Sequence, residues 1–412
     1  MSGIVLSASV RQNLLSLQST AELLSTTQNR LASGKKVNTA LDNPTNFFTA
    51  QGLDNRASDI NNLLDAIGNG VQVLQAANTG LTSLQKLVDT AKSIANQVLQ
   101  TTTGYTVKSS ATSLAPTGAG ALGVAGTAAD LTVGGTNSLS TKTFIFQAAT
   151  GGPTTITLGT GAGQVNSIAA FNTALTSGGL GLTASLASDG SITLTSSNDN
   201  ASQTLTTGTT AAANNIAISG TDTASLVTPT GGVAGQPLPD ANSQATRASL
   251  VGQYNNIIAQ ITTTSQDASF NGINLLFGDD LKLTFNETGK STLNITGVTY
   301  DAAGLGLGPL VAGTDFLDNK SANAVIAKVS AASDQLRSEA SSLGSNLSIV
   351  QIRQDFAKNL ITVLQTGSSN LTLADSNEEA ANSQALSTRQ SIAVSALALS
   401  NQSQQSVLQL LR

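Results

Sequence analysis

A chain of 412 residues with no Cys and no His has the length for roughly two to four domains, yet it excludes disulfides, thiolate nucleophiles, imidazole bases and the commonest metal ligands. Charged residues make up only 10% of it, against the roughly 25% of an average soluble domain. The net charge is -5 and no basic cluster exceeds Lys35-Lys36, a pair that reads as a solvated turn, so nucleic acid is not an expected partner.

No stretch approaches the roughly 18 apolar residues of a membrane span, so no membrane insertion is expected. The opening MSGIVLSASVRQNLL lacks a charged region followed by an uninterrupted apolar one, so no Sec signal is expected either. Scarce charge and abundant Ser and Thr nevertheless suit a protein outside the cell.

The first periodic segment places Val10, Leu14, Leu17, Ala21, Leu24, Gln28 and Leu31 at alternating spacings of four and three, which predicts a helix with a coiled-coil stripe. The segment ASGKKVNTALDNPTN follows, with Gly34 as helix terminator, Asp42 or Asn43 as the next N-cap and Pro44 at the first helical position. A second stripe runs through Leu53, Ala57, Ile60, Leu64, Ile67, Val71 and Leu74, then Asn78, Leu81, Gln85, Val88, Lys92, Ala95 and Leu99. At about 1.5 Å per residue that stripe predicts a helix about 70 Å long, which requires helical partners. Asn78, Gln85 and Lys92 are polar interruptions of the kind that fix register.

From Lys108 to Gln244 the heptads vanish, and the charged residues are two Lys and five Asp. Alternating runs at 143–147 and 154–158 predict strands, as do the two runs that flank Asp189-Gly190, a type I′ hairpin signal. Val165, Ile168, Ala169 and Leu175 fit one short helix. This is a small α+β domain inserted into a helical rod. Leu250, Tyr254, Ile257 and Ile261 mark a helix at about 241–264, and a hairpin turning at Asn286 to Gly289 follows.

The partner of the long stripe lies near the other end, through Leu336, Leu343, Leu347, Val350 and Ile361. TGSSN at 366–370 reads as a helix breaker. The last helix carries Ile392, Ala396, Leu399 and Leu410 on one stripe, with Ala393, Leu397, Val407 and Leu411 beside it. Its apolar face, which includes Leu408, is wider than one partner covers.

No constellation of catalytic residues emerges. Gly289-Lys290-Ser291 has Thr284 where a phosphate loop needs Gly, and Gly304, Gly306 and Gly308 lack the flanking strand and helix of a dinucleotide loop. Glu378 and Glu379 are adjacent on a helix and diverge, so they favour a helix start, capped by Asp375 or Asn377. The expectation is a protein that is no enzyme and takes no cofactor.

RLASGKKVNTALDNPTN at 30–46, FNGINLL at 270–276, LADSNEEAANSQAL at 373–386 and the terminal SVLQLLR together resemble bacterial flagellins, in the alphaproteobacterial form. The commoner flagellins carry an aspartate-aspartate-alanine-alanine-glycine stretch where Asp42 to Asn46 stand here. Their large insertion follows the FNG hairpin, whereas here it precedes the helix at 241–264.

The resemblance implies a mainly α fold with a β insertion, a long antiparallel coiled-coil rod built from both chain ends. Residues 1–43 and 367–412 would form the inner terminal helices, 44–104 and 241–366 the rod with its β-hairpin, and 105–240 the surface-exposed variable domain. It implies a structural subunit of the flagellar filament, exported through the flagellar type III machinery without a cleaved signal. The filament core would be Val10, Leu14, Leu17, Ala21, Leu24, Leu31, Ile392, Ala396, Leu399, Val407, Leu408, Leu410 and Leu411. Rod packing would use Leu53, Ile60, Leu64, Ile67, Val71 and Leu74 against Leu336, Leu343, Leu347, Val350 and Ile361. Implied partners are further copies of the chain, sibling flagellins, the flagellar cap and hook-junction proteins, and an export chaperone near 386–411. The hook-filament junction protein is the alternative reading. Finally, Gln85, Lys86, Asp89 and Thr90 occupy the place where many flagellins face an animal innate receptor. Lys86 and Thr90 replace the usual Arg and Leu there, which implies weak activation.

Overall fold

The computed structural model describes residues 8–113, 141–149, 151–187, 191–209, 215–220 and 236–410. These form six helices: α1 Ala8–Ser33, α2 Pro44–Gln100, α3 Ile168–Ser177, α4 Ala241–Asp267, α5 Asn319–Thr372 and α6 Ser376–Leu410. The described strands are β1 Tyr105–Val107, β2 Ser110–Thr112, β3 Thr143–Ala148, β4 Thr154–Thr157, β5 Leu182–Leu186, β6 Ile192–Ser196, β7 Thr204–Thr207, β8 Asn215–Gly220, β9 Leu238–Pro239, β10 Leu281–Thr284 and β11 Thr292–Ile295. Mainly helical architecture with a β-rich insertion is therefore the fold. The chain divides into two compact units, residues 1–72, 281–295 and 346–412 in one and 73–280 and 296–345 in the other.

In the first unit, α1 stops at Gly34, whose φ of +67° is left-handed and suits a residue without Cβ. Asp42 then closes the connecting turn by accepting from the backbone N–H of Asn38 and Thr39. These bonds hold its carboxyl below the usual carboxylate range. Asn43 is the cap of α2: its side-chain oxygen accepts from Asn46 N at 3.0 Å, and Pro44 opens the helix as its chemistry predicts. Within this unit Leu53, Ala57, Ile60 and Leu64 of α2 pack against Ala357, Leu360, Ile361 and Leu364 of α5. The antiparallel β10–β11 hairpin turns at Gly289 (φ +70°). Leu283 of the hairpin sits on Gly70 of α2 so closely that a Cβ there would lie 2.4 Å from its Cδ2.

TGSSN does not break a helix. α5 runs on to Thr372, because Gly367 faces Leu53, Ser368 is buried, and Thr366 bonds back to the carbonyl of Thr362. Tertiary burial outweighs the poor helix propensity of Gly, Ser and Asn. The break comes at 373–375 instead.

In the second unit, the described residues of the insertion form, beyond the β1–β9 pair, two sheets: antiparallel β2-β6-β5, and β4-β3-β8-β7, in which β7 and β8 are parallel. Both contribute to one core around Phe144, Phe146 and Phe171, with α3 packed on it. Ser167 caps α3, and Asn172 clamps it to β5 by accepting from Ala184 N and donating to Ala184 O. Strands β5 and β6 form the expected hairpin; its Asp189-Gly190 turn lies outside the described residues. Asn271 and Gly272 of FNGINLL both take positive φ, in a turn closed by mutual bonds between Phe270 and Ile273.

Candidate assembly surfaces

Helices α1 and α6 pack along each other. Their antiparallel start is fixed where the two connections meet: Lys36 N donates to Thr372 O at 2.7 Å, Ala374 N donates to Gly34 O at 3.0 Å, and Lys35 bridges Leu373. Asp375 caps α6 by accepting from Asn377 N and Glu378 N. One turn further on, buried Glu379 meets Arg30 of α1 at 3.4 Å. The two adjacent glutamates thus part: Glu378 stays in solvent, whereas Glu379 ties the helices together.

From that ion pair outward, the covered positions of α1 are Thr27, Leu24, Ala21, Thr20, Leu17, Asn13 and Val10, and those of α6 are Ser383, Leu386, Gln390, Ala393, Leu397 and Ser400. Of the residues expected in the filament core, Val10 is buried and Leu17, Ala21 and Leu24 are half-buried. Leu14, Leu31, Ile392, Ala396 and Leu399 are exposed, Ile392 by 63% and Leu399 by 69%. Leu15, Leu23 and Val394, which no heptad count selects, are exposed too. The side chains of Val407, Leu408 and Leu410 lie outside the described part, as does Leu411 entirely.

Each residue expected to pack the rod is at least half-buried: Leu53, Ile60, Leu64, Ile67, Val71, Leu347, Val350 and Ile361 in the first unit, and Leu74, Leu336 and Leu343 in the second. A different face of α5 presents Ile349, Ile352, Phe356 and Val363 to solvent. On the hairpin, Glu287 pairs with Arg56 of α2 at 2.8 Å, and Arg353 of α5 lies 5.7 Å over the Phe285 ring.

In the second unit, Gln85 donates to Ser333 of α5 at 2.7 Å and to Asp89 at 3.1 Å, as a register-fixing seam residue would. Asn78 is not in the seam: it is exposed, because the buried face there runs through Leu74, Ala77 and Leu81. Lys86, Asp89 and Thr90 are exposed beside half-buried Gln85. Sequence reasoning passed over Arg247 and Asp318, both buried. The one available signal was the position of Arg247, one turn ahead of Leu250 on the apolar stripe of α4.

Among the described residues no cluster of three or more acidic side chains could hold a metal ion, and no helix is long and apolar enough to cross a membrane. What the two ends offer chemically is surface: neutral polar helices with large uncovered aliphatic side chains.

Residues 5–116 match the bacterial flagellin N-terminal helical region, and residues 326–411 match the bacterial flagellin C-terminal helical region. Flagellin FljM of Caulobacter vibrioides is 32% identical over 165 residues, 40% of this chain and 59% of that protein. Flagellin FljO of the same organism is 30% identical over 172 residues, 41% of this chain and 62% of that one. Flagellin A of Rhizobium meliloti is 39% identical over 90 residues, 22% of this chain and 23% of that protein. The chain thus spans about three fifths of the Caulobacter relatives' length. With both terminal regions present in family order and its relatives drawn from these organisms, the chain belongs to the bacterial flagellin family, in its alphaproteobacterial form.

Proposed function

We propose that this chain is a structural subunit of the bacterial flagellar filament, polymerising into a hollow helical propeller. The observation that carries the reading is the unbalanced coverage of the terminal pair. Each of α1 and α6 gives one stripe to the other and leaves a second, with Leu14, Leu23, Leu31, Ile392 and Leu399, in solvent. Monomeric proteins rarely leave contiguous aliphatic surface uncovered. Copies that meet through unlike surfaces do not close, and contacts of that kind build a helical polymer.

On this reading residues 1–43 and 367–412 form the filament core, 44–104 and 241–366 the surrounding helical layer, and 105–240 the solvent-facing domain. Val407, Leu408, Leu410 and Leu411 extend the contact surface of α6. The subunit works outside the cell. Its partners are its own copies, sibling flagellins, the cap and hook-junction proteins, and an export chaperone that shields α6. The exposed group Lys86, Asp89 and Thr90, without the usual Arg, supports weak engagement of an innate receptor.

The test is seeded growth. Purified monomer added to filament fragments should elongate them, and an Ile392→Asp, Leu399→Asp double variant should keep the helical content of the monomer yet elongate nothing. Normal growth of that variant would refute the assignment of this face.

A further inference from the structure

The insertion leaves the helices at a polar neck that lies wholly within the second unit. Strand β1 follows the end of α2, and β9 pairs with it just before Asp240 caps α4. Gln244 of α4 donates to Gly104 O at 2.8 Å, and a Cβ at Gly104 would strike that side chain.

Beside this strand pair lies Arg247, which is 1% exposed. Its guanidinium donates to Phe316 O at 2.9 Å, to Thr102 O at 3.3 and 3.4 Å and to Asn319 Oδ1 at 3.4 Å. Burying a guanidinium is costly unless its fan of donors is met, and here the acceptors come from the end of α2 and the start of α5. Burial pulls its pKa down, and the neighbouring charge of Asp318 opposes that.

Arg247 therefore grips the backbone two residues before Asp318 and the side chain one residue after it. Asp318 is itself buried. One of its oxygens caps α5 by accepting from Ser321 N at 3.0 Å. The other accepts the hydroxyl of Ser202, which belongs to the insertion, at 2.6 Å. Next to it, Lys320 N in the unpaired first turn of α5 donates to Asp199 O, again from the insertion, at 3.1 Å.

We propose that Asp318, positioned by Arg247, is a latch that docks the 196–203 turn of the insertion onto the start of α5 and fixes the orientation of the β-rich module on its helices. The module is then a braced projection, not a body swinging on two short strands. This holds whether or not the chain polymerises, so its failure leaves the filament reading untouched.

The absence of cysteine makes the test clean. Spin labels are placed through Asn96→Cys on α2 and Thr155→Cys on β4, both exposed, and the distance distribution is measured by pulsed electron resonance on the full-length monomer. The parent pair should give one narrow distance. Ser202→Ala should broaden it, because losing a hydrogen bond to a charged group shifts the docked-to-free ratio by about tenfold. Ser202→Thr, which keeps the hydroxyl, should restore the narrow peak. Arg247→Met should broaden it further, and if that variant fails to fold, the Ser202 pair still decides. A broad distribution in the parent, or an unchanged one in Ser202→Ala, overturns the latch.

Discussion

Gly80 lies in the middle of α2, where glycine costs a helix about 1 kcal/mol relative to alanine. The structure shows what that cost secures. A Cβ at residue 80 would stand 2.6 Å from Ala268 Cβ and 2.7 Å from Leu276 Cδ1, so the missing methyl is the seat of the FNGINLL turn. Ala268 Cβ moves only with its backbone, and Leu276 is fully buried. Overpacking of this kind costs about 1–3 kcal/mol, so Gly80→Ala should cancel its helix gain of about 1 kcal/mol and lose up to about 2 kcal/mol beyond it. Gly344 of α5, in the same unit, has nothing within 4 Å of its would-be Cβ, and Gly344→Ala should gain about 1 kcal/mol. Urea unfolding of the monomer followed by circular dichroism measures both. A Gly80→Ala protein stabilised as much as Gly344→Ala would refute the steric argument while leaving the propensity argument standing.

Burial, and then its bond to Glu339 at 3.0 Å, push Tyr300 up from 10.0 to about 12. The folded state thus holds the phenolic proton more tightly than the unfolded one, so this contribution is whole below pH 10.0 and is lost as pH rises from there through about 12. Thermal unfolding across that alkaline window should fall less steeply for Tyr300→Phe than for the parent, and identical slopes would contradict the assignment. Tyr254, raised to about 12 chiefly by burial, and Tyr105, raised chiefly by burial too, contribute slope of the same sign. At the root of the terminal pair, Arg30→Ala should destabilise the monomer by about 1 kcal/mol, since Glu379, at 10% exposure, loses its partner while Arg30, at 38%, is screened by water. Glu379→Gln should cost less, and hydrogen exchange in the first turns of α6 should rank the two.

The heptads located the long helices because apolar spacing marks whatever a helix will bury, but they could not say against what. In α1 the count selected Leu14 and Leu31, which are exposed, and skipped Thr20 and Thr27, which are buried. Thr20 enters the seam because its hydroxyl bonds back to Ser16 O at 2.8 Å and leaves its methyl free to pack. In α6 the aliphatic stripe through Ile392 and Leu399 is the uncovered one, and the weaker stripe through Ala393 and Leu397 faces α1. Composition sees both faces, and only the fold tells them apart. The reading of TGSSN failed for the opposite reason: local propensity was right about the residues and blind to Leu53 beside Gly367. Arg247 was illegible because one arginine on an apolar stripe looks like a surface residue until the segments that follow α2 and open α5 converge on it.

The bond between Arg30 and Glu379 joins residues 349 positions apart. A ribosome therefore releases α1 long before its partner exists, and a lone 26-residue helix of this composition has little reason to hold its shape in water. Closing so large a loop also makes this pairing one of the slowest contacts available to the chain. α1 is thus left without its seam until α6 arrives, a built-in delay during which the chain can be captured, threaded or lost to aggregation.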